Sequence, residues 1–260
     1  PHGRYFYFAS RDGCVSKYDI YGLQMVAEVR AGINTRNLAV SSDGRYVAVG
    51  NYLPHTLVIL SATDLGPLKV IDVGDRNGKS SRVSAVYDAA PRRSFVAALK
   101  DIPEVWEITY DDNAAPVYEG MVHDYRLGEG IAAVGPFPVR RIEIEDYLDD
   151  FFFDQSYDNV IGASRDATQA QVVNLNVRRK IASLALPGLP HLASGITWTR
   201  EGRTVMGTPN LKQSVVSVID MKSWKSVAQI ATLGPGFFLR GHENSRYLWV
   251  DNFNSKANDA

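Results

Sequence analysis

The side chains in this chain that could do chemistry stand singly, each beside a short apolar run. Arg11 lies in Ser10-Arg11-Asp12-Gly13, Arg36 in Thr35-Arg36-Asn37-Leu38-Ala39-Val40, and Arg82 in Ser81-Arg82-Val83-Ser84-Ala85-Val86. Tyr52 follows Gly50-Asn51, His191 sits in Pro190-His191-Leu192, and Phe237 in Leu233-Gly234-Pro235-Gly236-Phe237-Phe238. A guanidinium fork can hold a carboxylate bidentately, and an imidazole moves protons near neutral pH. Each residue also has a plainer reading. Arg11 and Arg36 suit bonding the carbonyls of a turn, His191 suits a buried ring bonded to backbone, and Tyr52 and Phe237 suit a core.

Other reactive side chains read as structural. The acidic run Glu143, Glu145, Asp146, Asp149, Asp150 has no calcium-loop spacing and reads as an exposed charged connection. His55 and His242 read as surface or structural groups, and His123 as a solvated ring on an irregular stretch. Cys14 is the single cysteine, which rules out an internal disulfide, a cysteine-rich zinc site and a C-x-x-C-H heme attachment within these residues. It falls in an apolar strand and reads as a small packing residue. No metal site is expected from these residues.

The elements that must position these groups form a repeat. A turn followed by an apolar strand recurs at Gly3-Arg4-Tyr5-Phe6-Tyr7-Phe8, Asp43-Gly44-Arg45-Tyr46-Val47, Pro91-Arg92-Arg93-Ser94-Phe95, Ser156-Tyr157-Asp158-Asn159-Val160, Glu201-Gly202-Arg203-Thr204-Val205 and Ser245-Arg246-Tyr247-Leu248-Trp249. A further strand then ends on a polar residue, as at Asp19, Ser61, Asn174 and Asp220, and a third leads to Gly32, Gly74, Gly188 or Gly234. Gly3 and Gly44 are 41 residues apart, and Gly32 and Gly74 are 42 apart. This spacing accommodates about four short strands, which is the period of a β-propeller blade. The sequence therefore predicts an all-β partial propeller over residues 1–260, built of four-stranded blades.

Six strand starts imply five full blades and part of a sixth, a fragment of an eight-bladed ring. Residues 111–146 break the rhythm and read as a loop insertion over one face. The candidate residues recur at equivalent blade positions, so they are expected to share one mouth of the ring. A sandwich or solenoid would not repeat a glycine-ended strand so evenly.

The chain is 260 residues long, 45% hydrophobic and carries a net charge of −1. That suffices for a large core, and no basic face suggests a nucleic-acid partner. The apolar runs are too short to span a membrane. The chain opens inside a turn-plus-strand unit with no initiator Met, and reads as a piece of a longer protein.

The stretches quoted above, with Glu145-Asp146-Tyr147-Leu148-Asp149-Asp150 and His242-Glu243-Asn244-Ser245, resemble in order the heme d1 domain of the cytochrome cd1 nitrite reductase family. Within that family they are most similar to the branch that dehydrogenates dihydro-heme d1. The resemblance implies a tetrapyrrole ligand, heme d1 or dihydro-heme d1 with its iron. Arg11, Arg36 and Arg82 would meet tetrapyrrole carboxylates, Tyr52 and Phe237 would line the pocket, and His191 would act on the distal side, with Tyr52 assisting proton removal.

Asp149 stands where the nitrite reductases carry a second distal histidine, which favours the dehydrogenase over nitrite reduction. The axial iron ligand is expected upstream of residue 1, and His2 is not assigned to it. The resemblance also implies a c-type heme outside this segment, a cytochrome c electron partner, periplasmic location and a homodimer as one admissible assembly. A propeller that carries a tetrapyrrole, or docks a partner, without turnover is the alternative.

Overall fold

A computed structural model describes residues 3–119, 131–133, 135–165 and 169–253. His2 and His123 lie outside the described residues. The chain divides into two compact units, Pro1–Glu143 and Ile144–Ala260.

Among its described residues the first unit holds, besides a two-stranded ribbon, three antiparallel sheets, each given by its strands in chain order. The first comprises Tyr5–Ala9, Cys14–Asp19 and Gln24–Arg30; the second comprises Asn34–Val40, Tyr46–Leu53, Thr56–Ser61 and Pro67–Asp72. The third comprises Val83–Ala89, Ser94–Leu99, Glu104–Thr109 and Val139–Glu143. In the second unit one four-stranded sheet runs through Asp150–Phe153, Asn159–Ala163, Gln169–Asn174 and Arg179–Ala185. The next runs through Ile196–Arg200, Arg203–Pro209, Val215–Asp220 and Lys225–Ala231, and a ribbon pairs Leu239–Arg240 with Trp249–Val250.

Each strand in a four-stranded sheet pairs with its sequence neighbour, the up-and-down order of a propeller blade. The six strand starts each open or enter one of these sheets. Among the described residues four sheets have all four strands, against the five complete blades expected, with three strands described in the first sheet and two in the last. The stretch 111–146, expected as a loop, contains the outer strand Val139–Glu143 of the third sheet and a ribbon of Tyr118–Glu119 with Ile131–Ala132. The insertion is therefore a detour between the third and fourth strands of one sheet.

Burial explains the sequence pattern. Middle strands such as Ser94–Leu99 and Glu104–Thr109 are buried at every position, whereas the outer strand Pro67–Asp72 alternates. Middle strands are covered on both faces. Val47, Val49, Val58 and Leu60 of the second sheet pack with Val15 of the first. Their neighbours Ala48, Leu57 and Ile59 pack with Val83, Phe95, Ala97 and Leu99 of the third. In the second unit Ile161, Val172 and Leu184 pack with Met206 and Ile219 of the following sheet. Each fully buried Val, Leu or Ile contributes roughly 1.5–3 kcal/mol, so these seams dominate the stability.

In four of the sheets the polar residue ending the strand before the outer one closes the turn after it. Asp19 Oδ1 accepts from the N–H groups of Tyr21 and Gly22 (3.0 and 3.1 Å), and Asn174 Oδ1 from Asn176 and Val177 (3.0 and 2.9 Å). Asp220 Oδ1 accepts from Lys222 and Ser223 (3.0 and 2.7 Å), and Ser61 Oγ from Thr63 (3.2 Å). A left-handed residue follows in every case: Leu23, Leu65, Arg178 and Trp224. The turn leading into the second strand also needs a positive φ, which Gly44 supplies at φ 72° while Arg93 and Tyr157 adopt it at 47° and 59°.

Candidate functional site

Asn34–Val40, Val83–Ala89, Asp150–Phe153 and Ile196–Arg200 each lead a four-stranded sheet, and within each unit the candidate residues lie about the end at which its leading strands begin. That end is built by a recurring polar lock. Asn51, at the end of the second strand of its sheet, donates from Nδ2 to Ala31 O at 2.9 Å. Asn210, in the equivalent place, donates to Pro187 O and takes the N–H groups of Leu189, Lys212 and Gln213 on Oδ1. The recurring glycines make room for these amides. A Cβ on Gly32 would stand 2.4 Å from Asn51 Oδ1, and one on Gly188 would stand 2.6 Å from Asn210 Oδ1.

In the first unit this end is cationic. Thr35 donates its hydroxyl to Ser10 O, and Asn37 bonds both the N–H and the C=O of Val86 in the next leading strand (3.2 and 3.1 Å). Between them the ladder slips: Thr35 pairs with Asn51 and Asn37 with Gly50, leaving Arg36 as the extra residue of a bulge. Its side chain is exposed, and among the described residues no hydrogen bond or ion pair holds it.

Arg11 is also exposed, on a turn closed by Asp12, which accepts the Ser10 hydroxyl and the Cys14 N–H. Those bonds hold the Asp12 carboxyl below its usual range. The Arg11 guanidinium stands 5.8 Å from the Tyr52 ring centroid and that of Arg82 stands 5.3 Å from it, so two cations flank one phenol.

Arg82 differs from the other two arginines. Its fork grips Asp101, with Nε to Oδ2 at 2.9 Å and Nη2 to Oδ1 at 2.5 Å, and its backbone N–H adds a third bond at 2.9 Å. The Arg82 fork holds the Asp101 carboxyl at about 2, against burial acting in the opposite direction. Its bidentate face is thus already taken by a carboxylate of the chain. Nearby, His55 Nδ1 lies 2.7 Å from Ser80 Oγ, a structural contact as expected.

In the second unit the corresponding end is aromatic. His191 precedes the short 3-10 turn Leu192–Ser194 and donates its backbone N–H to Pro209 O at 2.9 Å. Its ring packs on Phe237 (centroids 4.4 Å apart) and Phe238 (6.2 Å). Phe237 in turn meets Phe238 at 4.8 Å and Phe253 at 5.8 Å. Asp251 Oδ1 takes the N–H groups of both Phe237 and Phe238 at 2.7 Å and fixes the segment that bears them.

His191 Nδ1 lies 2.7 Å from Phe237 O. A carbonyl only accepts, so Nδ1 carries the proton and the neutral ring keeps its lone pair on Nε2. Nε2 is 3.9 Å from Asp150 Oδ2, and the two side chains are 18% and 21% exposed. The ring is thus largely enclosed, oriented and equipped with one basic nitrogen.

The acidic run was expected to be an exposed connection, and that holds for Glu143 and Glu145 only. Asp149 and Asp150 are half-buried because each meets a cationic or imidazole partner: Asp149 Oδ2 lies 3.3 Å from Arg165 Nε, and Asp150 faces His191. The sequence reading missed Asp101, Asp150, Asp251, Phe238 and Phe253. The doubled Asp149-Asp150 at a strand start was the one signal available. Of the expected site residues, Arg11, Tyr52 and Arg82 come together in the first unit with Arg36 beside them in register, and His191 and Phe237 come together in the second. Among the described residues no group of three or more His, Cys, Asp or Glu side chains forms a metal site, and no helix is long and apolar enough to cross a membrane.

Four-stranded meander sheets with their reactive groups gathered at the entry of the leading strands define a β-propeller. Residues 1–123 and 131–260 match the Cytochrome D1 heme domain, and the chain belongs to that family. It is 49% identical over 259 residues to the dihydro-heme d1 dehydrogenase of Pseudomonas aeruginosa, covering 100% of this chain and 48% of that protein. It is 26% identical to protein NirF of Stutzerimonas stutzeri, covering 95% of this chain and 61% of the other.

A solved structure of the dihydro-heme d1 dehydrogenase NirN in complex with DHE superimposes with a TM-score of 0.86 at 50% identity, over 98% of this chain and 50% of that one. The hydrazine synthase of Kuenenia stuttgartiensis, at 14% identity and a TM-score of 0.66, shares the fold alone. The chain spans about half the length of the dehydrogenase it matches.

Proposed function

We propose that this chain is the tetrapyrrole-binding propeller of an oxidoreductase that dehydrogenates dihydro-heme d1. The observation that carries the reading is the His191 ring, held by the Phe237 carbonyl so that Nε2 is its sole base. The 49% identity to a dihydro-heme d1 dehydrogenase over the full chain supports the substrate.

Arg36 and Arg11 take the peripheral carboxylates of the tetrapyrrole, since their guanidinium groups are exposed and a charge-assisted pair of this kind contributes roughly 1.5–3 kcal/mol. Arg82, engaged with Asp101, contributes mainly by bracing Tyr52. The side chains of Phe237 and Phe238, half-exposed and exposed respectively, offer apolar surface to the flat ligand. The donor set fits the substrate's periphery, and its iron arrives as part of the substrate.

The reaction removes two hydrogens from a propionate-derived side chain and leaves a C=C bond. Two protons and two electrons depart. One proton goes to His191 Nε2, the other passes to water with Tyr52 assisting, and the electrons go one at a time to a c-type cytochrome or heme domain. Periplasmic location follows from that electron partner, and a homodimer is compatible with the reading.

The test is an absorbance titration of the full-length protein with dihydro-heme d1 and an electron acceptor. Conversion to the heme d1 spectrum is expected. Tight binding without conversion would leave a carrier, and nitrite consumption under reductant would make the protein a nitrite reductase. The ion pair of Asp149 with Arg165, where a second distal histidine would stand, argues against the last.

A further inference from the structure

We infer that Asp150 is a positioning residue for His191, steering the Nε2 edge of the ring and holding the proton that His191 takes from the substrate. The inference rests on the dehydrogenase reading above. Its basis is the way three groups divide the imidazole and the carboxylate between them. Phe237 O occupies Nδ1 at 2.7 Å, and Phe237 and Phe238 pack against the ring, which leaves the Nε2 edge for chemistry.

Asp150 Oδ1 accepts the Phe151 N–H at 2.9 Å, which fixes the carboxylate plane and turns Oδ2 toward Nε2 at 3.9 Å. The neighbouring carboxylate does not compete, because Asp149 lies against Arg165. Both ring and carboxylate are about four-fifths enclosed, at 18% and 21% exposure, so their attraction is screened less than that of a surface pair.

At 3.9 Å the neutral ring makes no direct hydrogen bond to Oδ2. Once the substrate C–H proton is on Nε2, that N–H becomes a donor and the ring gains a positive charge, and closing on Oδ2 satisfies both. Catalytic contacts that are long without ligand commonly tighten in this way when ligand binds. No further reactant is needed: the proton goes from carbon to Nε2, stays shared with the carboxylate, and returns to solvent after the electrons have left to the c-type cytochrome.

The experiment compares the full-length wild type with Asp150→Asn and Asp150→Glu. Asparagine can keep the Oδ1 acceptor for Phe151 and replaces the charged Oδ2 acceptor with an Nδ2 donor, so folding is expected to be retained, which a thermal melt checks. Asp150→Asn is expected to lower kcat for the spectral conversion by about 10-fold or more, with unchanged affinity for dihydro-heme d1, and Asp150→Glu restores part of the rate. In parallel, 15N spectra of the ligand-free protein are expected to show the His191 Nδ1 proton in both forms and a displaced Nε2 resonance in Asp150→Asn.

A wild-type rate in Asp150→Asn, or an Nε2 resonance that does not move, would overturn the inference while leaving the dehydrogenase reading intact. Should the wild type bind without converting its ligand, the dehydrogenase reading fails on its own. The proton-holding role then falls with it, and the 15N arm alone decides whether Asp150 positions the ring.

Discussion

The entry ends of the two units treat their ionisable groups in opposite ways. In the first unit Arg36 is extruded by a bulge and Arg11 stands on an exposed turn, both displaying charge to solvent. In the second unit the imidazole of His191 is enclosed, packed on Phe237 and fixed at Nδ1. The contrast follows from what each task requires. A guanidinium that must reach a ligand loses its usefulness if the chain has already filled its fork, as Asp101 has filled that of Arg82. A base, by contrast, needs its tautomer chosen in advance. Binding is served by groups left open, and proton transfer by a group tied down.

Substitutions can break that division. The largest effect is expected for His191→Ala, which slows single-turnover conversion by ~10²–10⁴-fold, the usual contribution of a general base, with affinity preserved. Loss of affinity with an unchanged rate would move His191 into the binding group. Next, Arg36→Ala is expected to weaken tetrapyrrole binding by roughly 1.5–3 kcal/mol in a spectral titration, without slowing the bound substrate. An unchanged titration would remove Arg36 from the pocket.

Arg82→Ala should weaken binding less, and its clearer signature is acid stability. Asp101 is held at about 2 in the folded chain, against about 4 when unfolded. The folded-state value is the lower one, so this stabilisation is fully present above about pH 4 and is lost as pH falls toward 2. With Arg82 exposed by 39% the pair is partly screened, and about 1 kcal/mol or less is at stake. Denaturant melts between pH 5 and 2 on wild type, Arg82→Ala and Asp101→Asn should show the variants losing less stability over that interval. Parallel curves would mean that the pair contributes nothing.

The blades were legible in the sequence because turn chemistry and strand composition agree at nearly every repeat. Asp43-Gly44 marks its turn directly, and Asp19, Asn174 and Asp220 announce the turns that they close. The third sheet was harder to read. Glu104 and Glu107 make Glu104–Thr109 look half-solvated, yet Glu107 is 2% exposed because Arg92 and Arg140 each reach it at 2.8 Å. Its outer strand, displaced to Val139–Glu143 by the detour, falls outside the repeat spacing altogether.

At the candidate site, the residues likened to a known family could be named from the sequence, but their partners were invisible. Asp101 and Asp150 are distant in sequence from Arg82 and His191, and apart from the doubling of Asp149-Asp150 their local pattern is that of ordinary surface carboxylates. Only the pairing of strands brings them face to face.

Middle strands apolar on both sides have one more implication. Ser94–Leu99 carries no alternation to tell one face from the other, so sliding it by a residue against its neighbours would bury almost as much hydrocarbon as before. Packing alone therefore cannot choose the alignment, and the choice falls to polar atoms at the strand tips, such as Asn51 and Asn174. A chain stripped of those amides would be expected to collapse readily and still hesitate between neighbouring alignments.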